Sequence, residues 1–159
     1  MRRLLWLLLP ISVAGVLVTR TVSMKLFAFA LPDGGLKPLE LDQIRRSKTD
    51  NDVLYADRTD IAVDDPAIAF GEPGEGLAMV KERALALGAE LREQTDSSLF
   101  FVWRSPTIGF PNGAYVYERQ VGEDTTALSF YGRALYGRRD FGANKGFIDQ
   151  LVSALNSGS

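Results

Sequence analysis

The chain predicts an α+β domain: a mostly antiparallel sheet of about four to five strands packed by two helices, preceded by an N-terminal membrane helix. Three observations predict it. Two pairs of strand-like segments each flank a short polar turn, two stretches carry apolar residues at helical spacing, and an uncharged apolar run follows paired arginines at the start.

Arg2-Arg3 precedes Leu4 to Val18, which carries no charge and is dominated by Leu and Val. A charged start before an apolar core is the layout of a secretory signal or a signal anchor. The run is shorter than the ~20 residues that span a hydrocarbon core. Arg20 and Lys25 can snorkel and let it extend toward Phe27-Ala-Phe-Ala30. Residues 1–30 are therefore expected as a signal anchor in the cell inner membrane, with the following domain outside the cytoplasm, in the periplasm. Ala28-Phe29-Ala30 keeps a second expectation open, a signal peptide cleaved to leave a secreted or periplasmic protein.

Residues 31–50 read as a linker, with a Pro32-Asp-Gly-Gly35 breaker cluster, Pro38, and no continuous apolar face. Residues 51–156 read as a single domain, long enough for one core and not for two. Ile61-Ala-Val63 is a short strand candidate, stopped by Asp64-Asp65-Pro66. Glu75 to Leu87 predicts a helix with Leu77, Val80, Ala84 and Leu87 on one stripe and Gly88 as its stop. Leu91 to Gln94 and Leu99 to Arg104 flank Thr95-Asp-Ser-Ser98 as one hairpin; Ala114 to Val121 and Thr125 to Tyr131 flank Gly122-Glu-Asp124 as another. In the last strand Leu128 and Phe130 share a face opposite Ser129 and Tyr131. A final helix runs from about Phe141 to Leu155, with Ile148, Leu151 and Leu155 inward.

Composition excludes several chemistries. There is no Cys and no His, so thiol nucleophiles, Cys/His zinc sites, His-based triads and disulfides are all ruled out. A net charge of −2 with no Lys/Arg block argues against nucleic acid as a partner. Asp57, Asp60, Asp64 and Asp65 are hard oxygen donors but lack the glycine and spacing of a calcium loop, so no metal is expected. No P-loop, dinucleotide fingerprint or nucleophile elbow appears, and no cofactor is expected.

The segment from Ser129 to Lys145 concentrates three glycines, three arginines, an Asp and an Asn between the last strand and the last helix. Asp140 is placed to cap that helix. Asn144 shares the face of Ile148, Leu151 and Leu155 and is expected to satisfy buried backbone groups. Gly137 and Gly142 are expected to permit positive φ or close approach in the turn. Arg133 leaves a strand near a helix N-terminus; with Arg138, Arg139 and Arg104 it could line an anion pocket that includes Asp140 and Asn144. The alternative is an Arg133–Asp140 ion pair that only stabilises the turn.

Two segments resemble a known family. Trp103-Arg-Ser-Pro106 followed by Gly109-Phe-Pro-Asn112, and Tyr131-Gly-Arg-Ala-Leu-Tyr-Gly-Arg-Arg-Asp-Phe-Gly-Ala-Asn144, are similar to the two signatures of an uncharacterised bacterial family, domain of unknown function 1499. Arg133, Gly137, Asp140, Gly142 and Asn144 match the second signature in order and spacing. Gly132 and Ala134 stand where that family has serines, Arg138-Arg139 where it has Tyr-Ser, and Asn112 where it has Asp. The resemblance covers about residues 96–155 and implies a fold and a membrane-associated setting, with no reaction. The expected function is a membrane-anchored, non-catalytic domain that binds a protein partner or an anionic small ligand. Two alternatives stand beside it: a carboxylate-dependent enzyme acting on an anionic substrate, and a purely structural module.

Overall fold

The computed structural model describes residues 30–106 and 108–156. The expected N-terminal membrane segment lies outside the described residues. Among them no helix is long and apolar enough to cross a membrane.

Six strands form one sheet: β1 (Asp52–Tyr55), β2 (Ile68–Phe70), β3 (Glu90–Gln94), β4 (Ser98–Arg104), β5 (Pro111–Gln120) and β6 (Thr126–Ala134). Two helices follow β2 and β6, α1 (Glu75–Ala86) and α2 (Ala143–Asn156). The spatial order is β1-β6-β5-β4-β3, every ladder is antiparallel, and β2 also pairs with β6. Both expected hairpins form. Thr95 N donates to Ser98 O at 2.9 Å, and Gly122 N to Thr125 O at 3.1 Å, closing the two turns.

The strand count exceeds the expected four to five because one edge is divided. β1 pairs with Phe130–Arg133 of β6, and β2 continues along the same edge against Thr126–Leu128. The Ile61-Ala-Val63 strand does not form. Ile61 tucks against the sheet instead, and Asp64 takes the backbone N–H of Leu54 at 2.8 Å. Asp57 likewise accepts from Ala67 N at 3.0 Å, so these carboxylates close the excursion between the two edge strands.

One face of the sheet carries both helices. Leu77, Val80 and Ala84 of α1 and Phe147, Ile148, Leu151 and Leu155 of α2 bury against Val53, Phe101, Val116, Leu128 and Phe130. Gly88, at φ 81°, ends α1 in the left-handed conformation that its missing side chain allows. Gly132 sets how closely α2 seats. A Cβ there would lie 3.1 Å from Val53, 3.2 Å from Ile148 and 3.3 Å from Asn144.

The other face is covered by residues 31–50, which the sequence reads as a linker. Leu36 and Ile44 are buried there with Leu54, Phe100, Val102, Tyr115, Tyr117 and Tyr131. The strap has one short 3-10 turn (Leu41–Gln43), so most of its carbonyls lack regular partners. Buried tyrosines supply them: Tyr115 donates to Lys37 O at 2.8 Å and Tyr117 to Leu39 O at 2.6 Å. Each ring fills apolar space while its hydroxyl satisfies a backbone acceptor. Burial pushes the Tyr115 phenol up to about 12, and shifts Tyr117 and Tyr131 upward as well. The packed body thus begins near residue 31 rather than 51.

Candidate functional site

At one end of the sheet the β4–β5 connection meets the β6–α2 connection. The first is a tight loop: Ser105 N donates to Phe110 O at 3.0 Å, Gly109 N to Ser105 O at 2.7 Å, and Gly109 has φ 83°. The second is tied to the stretch preceding β1. Asn51 Nδ2 donates to Gly137 O at 2.9 Å, and Asp140 N to Asp50 O at 3.3 Å. Gly137 and Gly142 have φ of 92° and 78°, the conformations expected of them.

Asp140 organises the start of α2. Its Oδ1 accepts from Gly142 N at 3.0 Å and its Oδ2 from Asn144 N at 2.9 Å, while its carbonyl accepts from Ala143 N at 3.1 Å. It acts as the cap, standing two residues farther out than an ordinary N-cap because Gly146 N bonds back to Gly142 O. Asn144 is fully buried and donates to Asn51 O at 3.2 Å, as its inward position predicts. Its Oδ1 has no hydrogen-bond partner.

The arginines do not converge. Arg133 pairs in register with Gly113 and Asp52, and shares the strap-covered face with Tyr131 two residues before it. Asn144 lies on the opposite, helix-covered face, against Gly132. Among the described residues no ion pair joins Arg133 to Asp140. Arg104 donates to Gly109 O at 3.2 Å and to Leu31 O at 3.1 Å, and Arg138 and Arg139 project into solvent. The anion position at the start of α2 is filled by the carboxylate of Asp140 itself.

A groove does form at this end, between the Ser105–Phe110 loop and the first half of α2. It has a volume of about 560 Å³; Leu87, Trp103, Pro106, Ile108, Phe141 and Phe147 form its apolar lining, and Arg104, Ser105, Asp140 and Gln150 its polar one, so that two of the sequence-predicted residues, Arg104 and Asp140, meet here. Trp103 and Phe147 form its floor, stacked with ring centroids 4.3 Å apart and planes within 5°. Phe141 stands at its rim, 85% exposed and at φ 55°. The aromatic residues of this groove were readable as packing only, because nothing in their spacing distinguishes a groove wall from a core.

A second cluster also lay hidden. Tyr55 donates to Asp149 at 2.5 Å, and Lys145 Nζ lies 2.9 Å from both Tyr55 Oη and Asp149 Oδ2. Burial and the Asp149 bond raise the Tyr55 pKa. Burial acts to raise Asp149, but its bonds to Lys145 and Tyr55 outweigh this and lower it; Lys145 is raised by its own bonds to Asp149 and Tyr55. Each group is held more firmly in its ordinary state, the opposite of the tuning that acid–base catalysis requires. The i,i+4 spacing of Lys145 and Asp149 was the one available signal. Among the described residues no group of His, Cys, Asp and Glu could hold a metal ion. The chain matches no protein-family model and no curated protein, so its likeness to domain of unknown function 1499 rests on the residues quoted above.

Proposed function

We propose that the chain is a membrane-tethered, non-catalytic binding domain, held outside the cytoplasm at the inner membrane, whose binding surface is the groove floored by Trp103 and Phe147. The groove is the observation that carries this reading. It is mainly apolar, it is walled by a hydrogen-bonded loop and the capped start of α2, and an aromatic ring stands open at its rim. A partner presenting an apolar group fits it better than a small anion does, because Arg104 is the one arginine in its lining, is engaged by the carbonyls of Gly109 and Leu31, and shares the groove with the carboxylate of Asp140.

The test fills the groove without touching the core. Gly146 lines it, and a Cβ there would meet nothing within 4 Å. Gly146→Arg should leave the melting temperature equal or higher, since glycine inside a helix costs about 1 kcal/mol relative to better helix formers. A photoreactive residue at Gln150 in the full chain, in its native membrane, should give a discrete adduct that Gly146→Arg abolishes. An adduct that survives Gly146→Arg, or that forms equally from Val121 on the far hairpin, sinks the groove as the binding surface.

A further inference from the structure

We infer that the corner carrying Arg138, Arg139 and Phe141 docks on the surface of an anionic lipid bilayer, so that the domain sits on its membrane in one orientation. This rests on the tether of the reading above and adds what the tether alone leaves open, which side faces the lipid.

Phe141 is the first observation. Its ring is 85% exposed, while the next most exposed large apolar side chain among the described residues, Val121, is at 50%. It is also the one non-glycine residue with positive φ among the described residues. A bulky side chain in that conformation costs free energy. Here the backbone is fixed on both sides: Asp140 N donates to Asp50 O before it, and the Asp140 carboxylate binds the N–H groups of Gly142 and Asn144 after it. The fold thus spends strain to hold an aromatic ring outward, where folding gains nothing from it.

Charge is the second. Arg138 and Arg139 are exposed and make no hydrogen bond or ion pair with any described residue. Two free guanidinium groups beside one projecting aromatic ring match an interface of phosphate headgroups over acyl chains. Arginine binds phosphate oxygens bidentately, and each cation near an anionic leaflet adds to the attraction. The net charge of the chain is −2, so this basic corner stands against the molecular average.

The path of the chain is the third. Leu31 O accepts from Arg104 at 3.1 Å, and Pro32 O accepts from Tyr136 at 2.8 Å. Tyr136 belongs to the same connection as Arg138, Arg139 and Phe141. The polypeptide therefore joins the domain at this corner. Only residues 19–29 separate Ala30 from the apolar Leu4–Val18 run. Fully extended they reach roughly 40 Å at most, which bounds the distance of the corner from the surface and keeps its effective concentration there high.

The absence of cysteine allows a direct test on the full chain. Phe141→Cys, where an apolar aromatic fluorophore takes the place of the ring, and, as a control on the exposed side of α1, Leu85→Cys each accept one fluorophore. The labelled chains are reconstituted into phosphatidylcholine vesicles with or without phosphatidylglycerol, containing a lipid-borne quencher. The probe at 141 should be quenched in the anionic vesicles and much less in neutral ones, while the probe at 85 stays bright in both. Arg138→Gln and Arg139→Gln should each lower the docked population about fivefold. A chain that floats with the vesicles while its probe at 141 stays unquenched overturns the docking and leaves the tether standing. Equal quenching at 141 and 85 overturns it too, as mere proximity. A chain that does not float removes the tether and the docking together.

Discussion

Asp140 engages two backbone donors with one carboxylate, and that divides its substitutions. Asp140→Ala leaves both N–H groups without a side-chain acceptor and should destabilise the domain by ~1–2 kcal/mol. Asp140→Asn keeps one acceptor oxygen and should recover about half of that loss in urea denaturation; complete recovery would mean that only one of the two bonds matters. The cap and the inward turn of Asn144 were legible because helix starts and helical faces follow local rules. Arg133 shows where such rules stop. Strand parity puts it with Tyr131, opposite Phe130, and so off the helix face. A pocket joining Arg133 to Asn144 was therefore at odds with the alternation already readable along β6. What could not be read was that the opposite face is covered too, which half-buries Arg133 under the strap.

The first turns of α2 carry a charge cluster whose pH dependence follows from its pKa shifts. Asp149 is lowered in the folded state, so its contribution is present above the ordinary value of 3.8 and is lost as pH falls through the lower folded value. Lys145 is raised, so its contribution is complete below its ordinary 10.5 and is lost only as pH rises through the higher folded value. Both side chains are about half exposed, which limits the gain to that of a solvated i,i+4 pair. Lys145→Met should cost about 0.3–0.5 kcal/mol at neutral pH. Its melting temperature should converge on wild type well below pH 3.8, and a gap that persists there would point to lost packing instead. Among elements, the hairpins and both helices were legible from turn residues and periodicity. β1 and β2 were not. Each is too short to show a period, and each becomes a strand only because β6 offers an edge.

For the molecule as a whole, the strap decides how the domain coheres. Leu36, Leu39, Leu41 and Ile44 fit neither a strand nor a helix period, and their backbone partners are tyrosines almost eighty residues away. No local pattern reveals such an arrangement. Ile44 is fully buried, and Ile44→Ala should lower stability by about 2–4 kcal/mol without changing the denaturant slope. A loss under ~0.5 kcal/mol, the range of ordinary surface changes, would show the strap to be detachable. The divided edge of the sheet carries a last consequence. On one side β1 and β2 are four and three residues long, interrupted by an excursion whose aspartates hold it shut. On the other, β3 has a bulge between Leu91 and Glu93, and Arg92 pairs with both Glu90 and Asp33 of the strap. Neither border offers a long, flat row of open backbone donors and acceptors to a foreign strand. The sheet is closed to growth by strand addition, so a partner of the kind proposed would not be taken up as an extra strand.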